Sequence, residues 1–98
     1  MLFEWDVAKA RSNEGKHGVT FSEAASVFAD PLAALFDDVE HSDQELREII
    51  VGDSEKQRLL VVSYSVDGDI IRIISARLAT RRERKDYEES PLGGWKDE

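Results

Sequence analysis

The chain has no cysteine, which excludes a disulfide framework and thiolate chemistry alike. Its only histidines, His17 and His41, are too few for a zinc cluster, and no HExxH or ladder of carboxylates at ligand spacing replaces them. Asp37, Asp38 and Glu40 read as an acidic surface loop rather than a cation site. The glycines stand singly or near the C-terminus, so no phosphate-cradling loop is present, and there is no GxSxG elbow. No apolar run approaches the roughly 18 residues that a membrane span needs. The first six residues lack the basic start of a signal peptide, so a cytoplasmic protein is expected. Basic residues are also scarce: 13 against 21 acids, a net charge of −8. That argues against binding nucleic acid by bulk attraction.

What is present is unevenly distributed. Residues 21–54 hold nine acids and one base, Arg47. Residues 55–86 hold eight bases and five acids, and the last twelve residues return to −3. Such a split suits a molecule with one anion-binding face and one face for a basic partner, and equally a merely acidic, soluble protein. With 98 residues and 41% apolar content, the chain supports one modest core and hence one domain, over residues 1–89, followed by an irregular tail over 90–98.

Phe3-Glu4-Trp5 reads as a short edge strand. Asp6 is a good N-cap for a helix over 7–16, which Lys16-His17-Gly18 ends with basic residues and a glycine. Thr20 with Glu23 forms a capping box, and Phe21, Ala24, Ala25 and Phe28 then mark the buried face of a second helix. Strands are predicted over 32–36, 47–52, 58–65 and 70–77, with Asp67-Gly68 as a hairpin turn and an acidic loop over 37–45. Thr80 with Glu83 opens a last helix over 81–89. Two helices, an antiparallel meander of about four strands and a final helix make an α+β domain with one sheet face covered and the other partly open.

The junction of the last strand and helix concentrates Arg72, Arg77, Arg81, Arg82, Arg84 and Lys85. A helix N-terminus there exposes unpaired N–H groups and suits an anion such as a nucleic-acid phosphate. The same cations would equally form a solvated face paired with Glu83, Asp86, Glu88 and Glu89. In a regular strand Arg72 and Arg77 point to opposite faces. They converge only through a bulge, or if Arg77 already lies in the loop before the helix, and the loop is the expectation. In the first helix, Lys9, Asn13 and Lys16 share a polar face that could touch RNA or simply be solvated. His17 has the range for acid–base work, although a histidine at a helix end more often caps carbonyls.

The segments FEWDVAKARSNEGKHGVTFSEAASVFADPLA, HSDQELREIIVG, RLLVVSYS and IRIISARLATRRERKDYEE resemble the BrnT family of bacterial type II toxins. KHGV before FSEA, ADPLA and the final IRIISAR-x-AT-x-x-ER-x-x-YE occur together in family order, over residues 3–89. The resemblance implies a RelE-like fold and ribonuclease activity that inhibits translation. It also implies a BrnA-type antitoxin with a ribbon-helix-helix DNA-binding module, so that operator DNA is contacted only through the antitoxin. A pI of about 4.7 is low for such a toxin, and the tail is not part of the pattern.

Without metal or cofactor, cleavage would use the RNA 2′-OH as nucleophile. The protein must then hold the backbone in line, stabilise phosphorane charge and move protons. Arg77 is the first candidate for the charge role, Arg72 the second, and Tyr87 a candidate to donate a proton, orient a phosphate or stack on a base. Tyr87 reads equally well as a core-edge aromatic. Lys9, Asn13, Lys16, His17, Thr80, Arg81 and Arg84 are candidate RNA contacts. A second function remains open: a non-catalytic subunit that binds partners in an autoregulatory DNA-bound complex.

Overall fold

The computed structural model describes residues 1–38 and 46–89. Most of the expected acidic loop, and the whole of the expected tail, lie outside the described residues. In order, the elements are β1 (Leu2–Glu4), α1 (Val7–His17), α2 (Phe21–Ser26), a 3-10 turn (Val27–Ala29), β2 (Ala34–Asp37), β3 (Glu48–Asp53), β4 (Leu59–Asp67), β5 (Ile70–Leu78) and α3 (Arg81–Glu89).

The α+β expectation holds, with one correction to the sheet. It has five strands, in the order β1-β5-β4-β3-β2, rather than about four. The strands β2 to β5 form the expected antiparallel meander, while β1 runs parallel to β5, with Leu2 opposite Ile70 and Glu4 opposite Arg72. The short apolar start supplies partners for the first three residues of β5, whose outer backbone groups would otherwise be unpaired.

Beyond Arg72 the outer edge of β5 is met by a helix instead. Asn13 of α1 is only 7% exposed. Its amide donates to the Ala76 carbonyl at 2.8 Å and accepts from the Ala76 N–H at 3.1 Å, as a neighbouring strand would. A third bond, to the Val19 carbonyl at 3.1 Å, fixes the chain leaving α1. The expected polar face of α1 is therefore corrected: Lys9 and Lys16 are exposed, and Asn13 is turned inward. Asp6 and Gly18 cap this helix as their residue types predict, Asp6 accepting from the Lys9 N–H at 3.0 Å and Gly18 adopting φ 68°.

The core lies between α2 and the sheet. Phe21, Ala24 and Val27 pack on Ile50, Leu60, Val62, Ile73 and Ala76. Phe28 stands between Phe3 and Tyr64, at ring-centroid distances of 5.3 and 4.9 Å. Burying side chains such as Phe21, Leu60 and Ile73 stabilises the fold by about 1.5–3 kcal/mol each.

One irregularity decides where the arginines point. Ser63 pairs with Ser75 but Tyr64 pairs with Ile73, so Ile74 is an extra residue in β5. Ile71 and Ile73 face the helices before this bulge, and Ala76 does so after it. Arg72 and Arg77 consequently share the other face. The expectation that Arg77 lies in the loop is corrected: it is in β5, opposite Val61, and the bulge produces the convergence.

Candidate active site

On the sheet face away from α1 and α2, a cavity of about 430 Å³ is lined by groups from separate parts of the chain. Ser75 and Arg77 come from β5, Ser63 and Val61 from β4, and Arg47 and Ile49 from the start of β3 and the residues before it. Asp38 follows β2, and His17 reaches the rim from the last turn of α1. His17 is there because the Asn13 clamp on Ala76 holds the end of α1 beside β5. Ser63 and Ser75 are directly opposed across the two strands, one residue from the bulge. The sequence reading noted Arg47 as the single base of an acidic block without giving it a role, and it missed both serines. Only the strand register brings them together.

Arg77 is held by Glu83 in a two-pronged ion pair, Nη1 to Oε1 at 2.7 Å and Nη2 to Oε2 at 3.0 Å. Nη1 also donates to the Leu78 carbonyl at 3.2 Å. A guanidinium has five N–H donors, so one on Nη2 and the one on Nε are left to meet a phosphate. Glu83 simultaneously completes its capping box: its carboxylate accepts from the Thr80 N–H at 2.9 Å, and the Thr80 hydroxyl accepts from the Glu83 N–H at 3.0 Å. The Arg77 guanidinium, and then the Thr80 N–H, pull the Glu83 pKa down to about 2. The expected anion site at the start of α3 is thus filled by the protein's own carboxylate, and Thr80 serves as a cap.

The remaining predicted residues divide. Arg72 lies farther along the same face, bound to Glu4 at 2.6 Å, and lines a separate hollow with Ser65 and Asp67. Five residues of strand put it roughly 15 Å from Arg77. Tyr87 does not line the Arg77 cavity. Its hydroxyl donates to the Leu32 carbonyl at 3.0 Å and lies 3.4 Å from an Asp30 carboxylate oxygen, which ties α3 across the end of the sheet. Of the two readings of Tyr87, the structure places it as the core-edge aromatic and away from the Arg77 cavity. Val51 and Leu59 are buried on this second face, at the end where α3 is anchored. Lys9, Lys16, Arg81 and Arg84 are exposed, and Arg84 makes a loose pair with Glu88 at 3.5 Å. Among the described residues, no group of three or more His, Cys, Asp or Glu could hold a metal ion. Among the same residues, no helix is long and apolar enough to cross a membrane.

Fold and site together define a small α+β protein with one sheet face covered by helices and the other presenting guanidinium, imidazole and hydroxyl groups. Such a face suits a phosphate-bearing ligand. The family model for the ribonuclease toxin BrnT of type II toxin–antitoxin systems matches residues 5–83, so the chain belongs to the BrnT family of ribonuclease toxins. The matched span ends at Glu83 and so takes in the Arg77–Glu83 pair but not Tyr87. The fold is also that of the Brucella abortus ribonuclease toxin BrnT, whose 1.1 Å crystal structure aligns with a TM-score of 0.64. The two sequences are 22% identical, and the alignment covers 83% of this chain and 100% of the other. No curated protein matches the chain.

Proposed function

We propose that the chain is a metal-independent endoribonuclease that cuts RNA on the open sheet face, and that Arg77 and His17 act on the same phosphate. The observation that carries this reading is the shared cavity, which brings an imidazole from α1 and a guanidinium from β5 to one place beside Ser63 and Ser75. The RNA 2′-OH attacks the adjacent phosphate, the P–O5′ bond breaks, and a 2′,3′-cyclic phosphate and a protonated 5′-hydroxyl are left. Arg77 stabilises the extra charge of the phosphorane through its remaining donors, and His17 moves a proton. The serine hydroxyls orient phosphate oxygens. Arg72, Lys9, Lys16, Arg81 and Arg84 guide the backbone on either side. Tyr87 anchors α3 and takes no proton.

In the cell this activity inhibits translation from the cytoplasm. A BrnA-type antitoxin neutralises it and carries the operator-binding module. We read residues 1–89 as one RelE-like domain, with β1 as an added parallel edge strand. The pairing of Arg77 with Glu83 favours one competing reading, a partner-binding subunit without catalysis, because most of the guanidinium is already engaged.

Induced expression separates the two. Wild type should arrest growth with loss of total RNA, and the purified protein should cleave RNA in EDTA. Arg77→Ala should remain folded and lose roughly 10²–10³-fold in cleavage, and His17→Ala roughly 10²-fold. No arrest and no cleavage by wild type would leave the partner-binding reading. Equal cleavage by Arg77→Ala would move the site elsewhere, and cleavage abolished by EDTA would overturn metal independence.

A further inference from the structure

A third, larger hollow lies on the opposite side of the sheet, where α1 and α2 leave the strand ends uncovered. It has a volume of about 640 Å³ and runs from Ile71 and Tyr64 past Ile50 to Leu35, with Phe28 as one wall. Its rim is apolar and faces solvent: Leu35 is 64% exposed and Val66 54%. Solitary exposed apolar residues need no explanation, but several lining one depression mark an interaction surface. The open-face cavity described above uses none of these residues.

Among the described residues the side-chain charge around this groove is negative, although Met1, which carries the terminal amino group, also lines it. No Lys, Arg or His side chain among the described residues lines it, whereas Asp69 does. Glu48 is paired directly with Tyr64 and Asp37 directly with Glu48, so both carboxylates project on the groove side, where Glu48 also accepts from the Tyr64 hydroxyl. Asp30 also lines the groove, but its carboxylate is already used, accepting from the Leu32 N–H at 2.9 Å and the Asp53 N–H at 2.8 Å. An apolar floor with Asp37, Glu48 and Asp69 around it complements a segment with an apolar stripe flanked by Lys or Arg. A second copy of this chain would set acid against acid. Rim residues that stand out to solvent suit a macromolecular surface better than an enclosed small molecule.

We propose that this groove docks the antitoxin, through an amphipathic segment whose apolar stripe covers Leu35 and Val66 and whose basic flanks meet Asp37, Glu48 and Asp69. The inference rests on the reading that an antitoxin neutralises the chain. It places that contact on the face opposite the cleavage site, so the toxin is held at a surface it does not use for RNA.

The test uses the full-length toxin and the purified antitoxin of the same pair. Leu35→Lys combined with Val66→Lys removes two apolar anchors and sets cations against the basic flanks. The double variant should melt and cleave RNA like wild type, yet bind the antitoxin at least about 30-fold more weakly and escape its rescue of growth. Leu35→Thr alone, which keeps a strand-forming residue, should lose less, and the wild-type complex should weaken as salt rises. Undiminished antitoxin binding by the double variant would overturn the proposal. So would a toxin that sediments alone as a dimer and becomes monomeric in the double variant, since the occupant would then be a second copy. A wild-type protein that cleaves no RNA but still loses the antitoxin on these substitutions would overturn the ribonuclease reading and leave the docking site standing.

Discussion

Two stretches of the chain carry the same local signal and end in opposite environments. Thr20 and Glu23 open α2, and Thr80 and Glu83 open α3. Both threonine hydroxyls accept from the N–H three residues on, at 3.0 Å. The glutamates then diverge. Glu83 reaches back to the Thr80 N–H and also grips Arg77. Glu23 is 1% exposed and turns away from its cap, into a network with Arg58 and the Ser54 hydroxyl. The short Arg58–Glu23 bond, together with Arg58 donating to the Gly18 carbonyl at 3.1 Å, joins the turn between β3 and β4 to the start of α2 and the end of α1. Each cap is therefore next to a glutamate–arginine pair. One pair has a fully buried carboxylate and holds the fold. The other has a half-buried carboxylate and stands at the cavity.

The sharpest test of that division is Arg58→Ala. It strands a Glu23 carboxylate that is 1% exposed and should give the largest drop in the denaturant midpoint among these substitutions. Arg77→Ala removes the partner of the half-buried Glu83 and should cost less, about 1–2 kcal/mol, while removing activity. Equal losses of stability would erase the distinction between the two pairs. Next in size is Asn13→Ala. It leaves the Ala76 N–H and C=O without partners at a buried edge and should cost about 2–3 kcal/mol. Hydrogen exchange at the Ala76 amide should speed up more than at the amides of β3, and cleavage should fall as His17 loses its position. Protection at Ala76 unchanged by the substitution would dismiss the clamp.

Acid should act on the second pair through Glu83. Its folded pKa of about 2 lies below its ordinary 4.5, so the native state binds fewer protons than the unfolded chain in that interval. The stabilisation is complete above about pH 4.5 and is lost as pH falls toward 2. Partial exposure of both partners limits it to about 1–2 kcal/mol. Wild type and Glu83→Gln should therefore differ in melting temperature at pH 7 and converge near pH 2. A gap that persists at low pH would assign the effect to the cap rather than the charge. Glu23 is also held below its ordinary value, chiefly by Arg58, so acid unfolding of the whole chain includes both pairs.

Local signals read well from the sequence, and long-range ones did not. The caps at Asp6, Thr20 and Thr80, the hairpin turn (which falls on Gly68 and Asp69, one residue past the expected Asp67-Gly68) and the apolar face of α2 each depend on residues a few positions apart. The inward turn of Glu23 depends on Arg58, 35 positions away, and that of Asn13 on Ala76, 63 positions away. Polar residues at helical spacing look alike whether they meet water or a strand edge. The bulge at Ile74 is a property of register between β4 and β5, so the common face of Arg72 and Arg77 could be stated only as a condition. Arg77 itself was found because a strand end beside a capped helix is a local pattern. Its neighbours Arg47, Ser63 and Ser75 come from three strands or their approaches and carry no pattern of their own.

The smallest expected effect is at Tyr87, and it decides whether α3 belongs to the scaffold or to the chemistry. Burial, and then the charge of Asp30, push the Tyr87 hydroxyl up to about 12. A raised value keeps the group neutral and donating; its contribution is present below about pH 10 and is lost as pH rises toward 12. Tyr87→Phe removes the bond to the Leu32 carbonyl and keeps the ring. Water can replace the donor at this partly open position, and Asp30 keeps its bonds to the Leu32 and Asp53 N–H groups. The cost should be about 1 kcal/mol. Cleavage should stay within about twofold of wild type, because the hydroxyl serves the loop before β2 and the cavity lies on the far side of Arg77. A tenfold loss of cleavage, about 1.4 kcal/mol in the barrier, with a melting temperature lowered no more than that bond explains, would put Tyr87 at the RNA. The division between a structural and a functional glutamate–arginine pair would then have to be redrawn to include all of α3 in the active face.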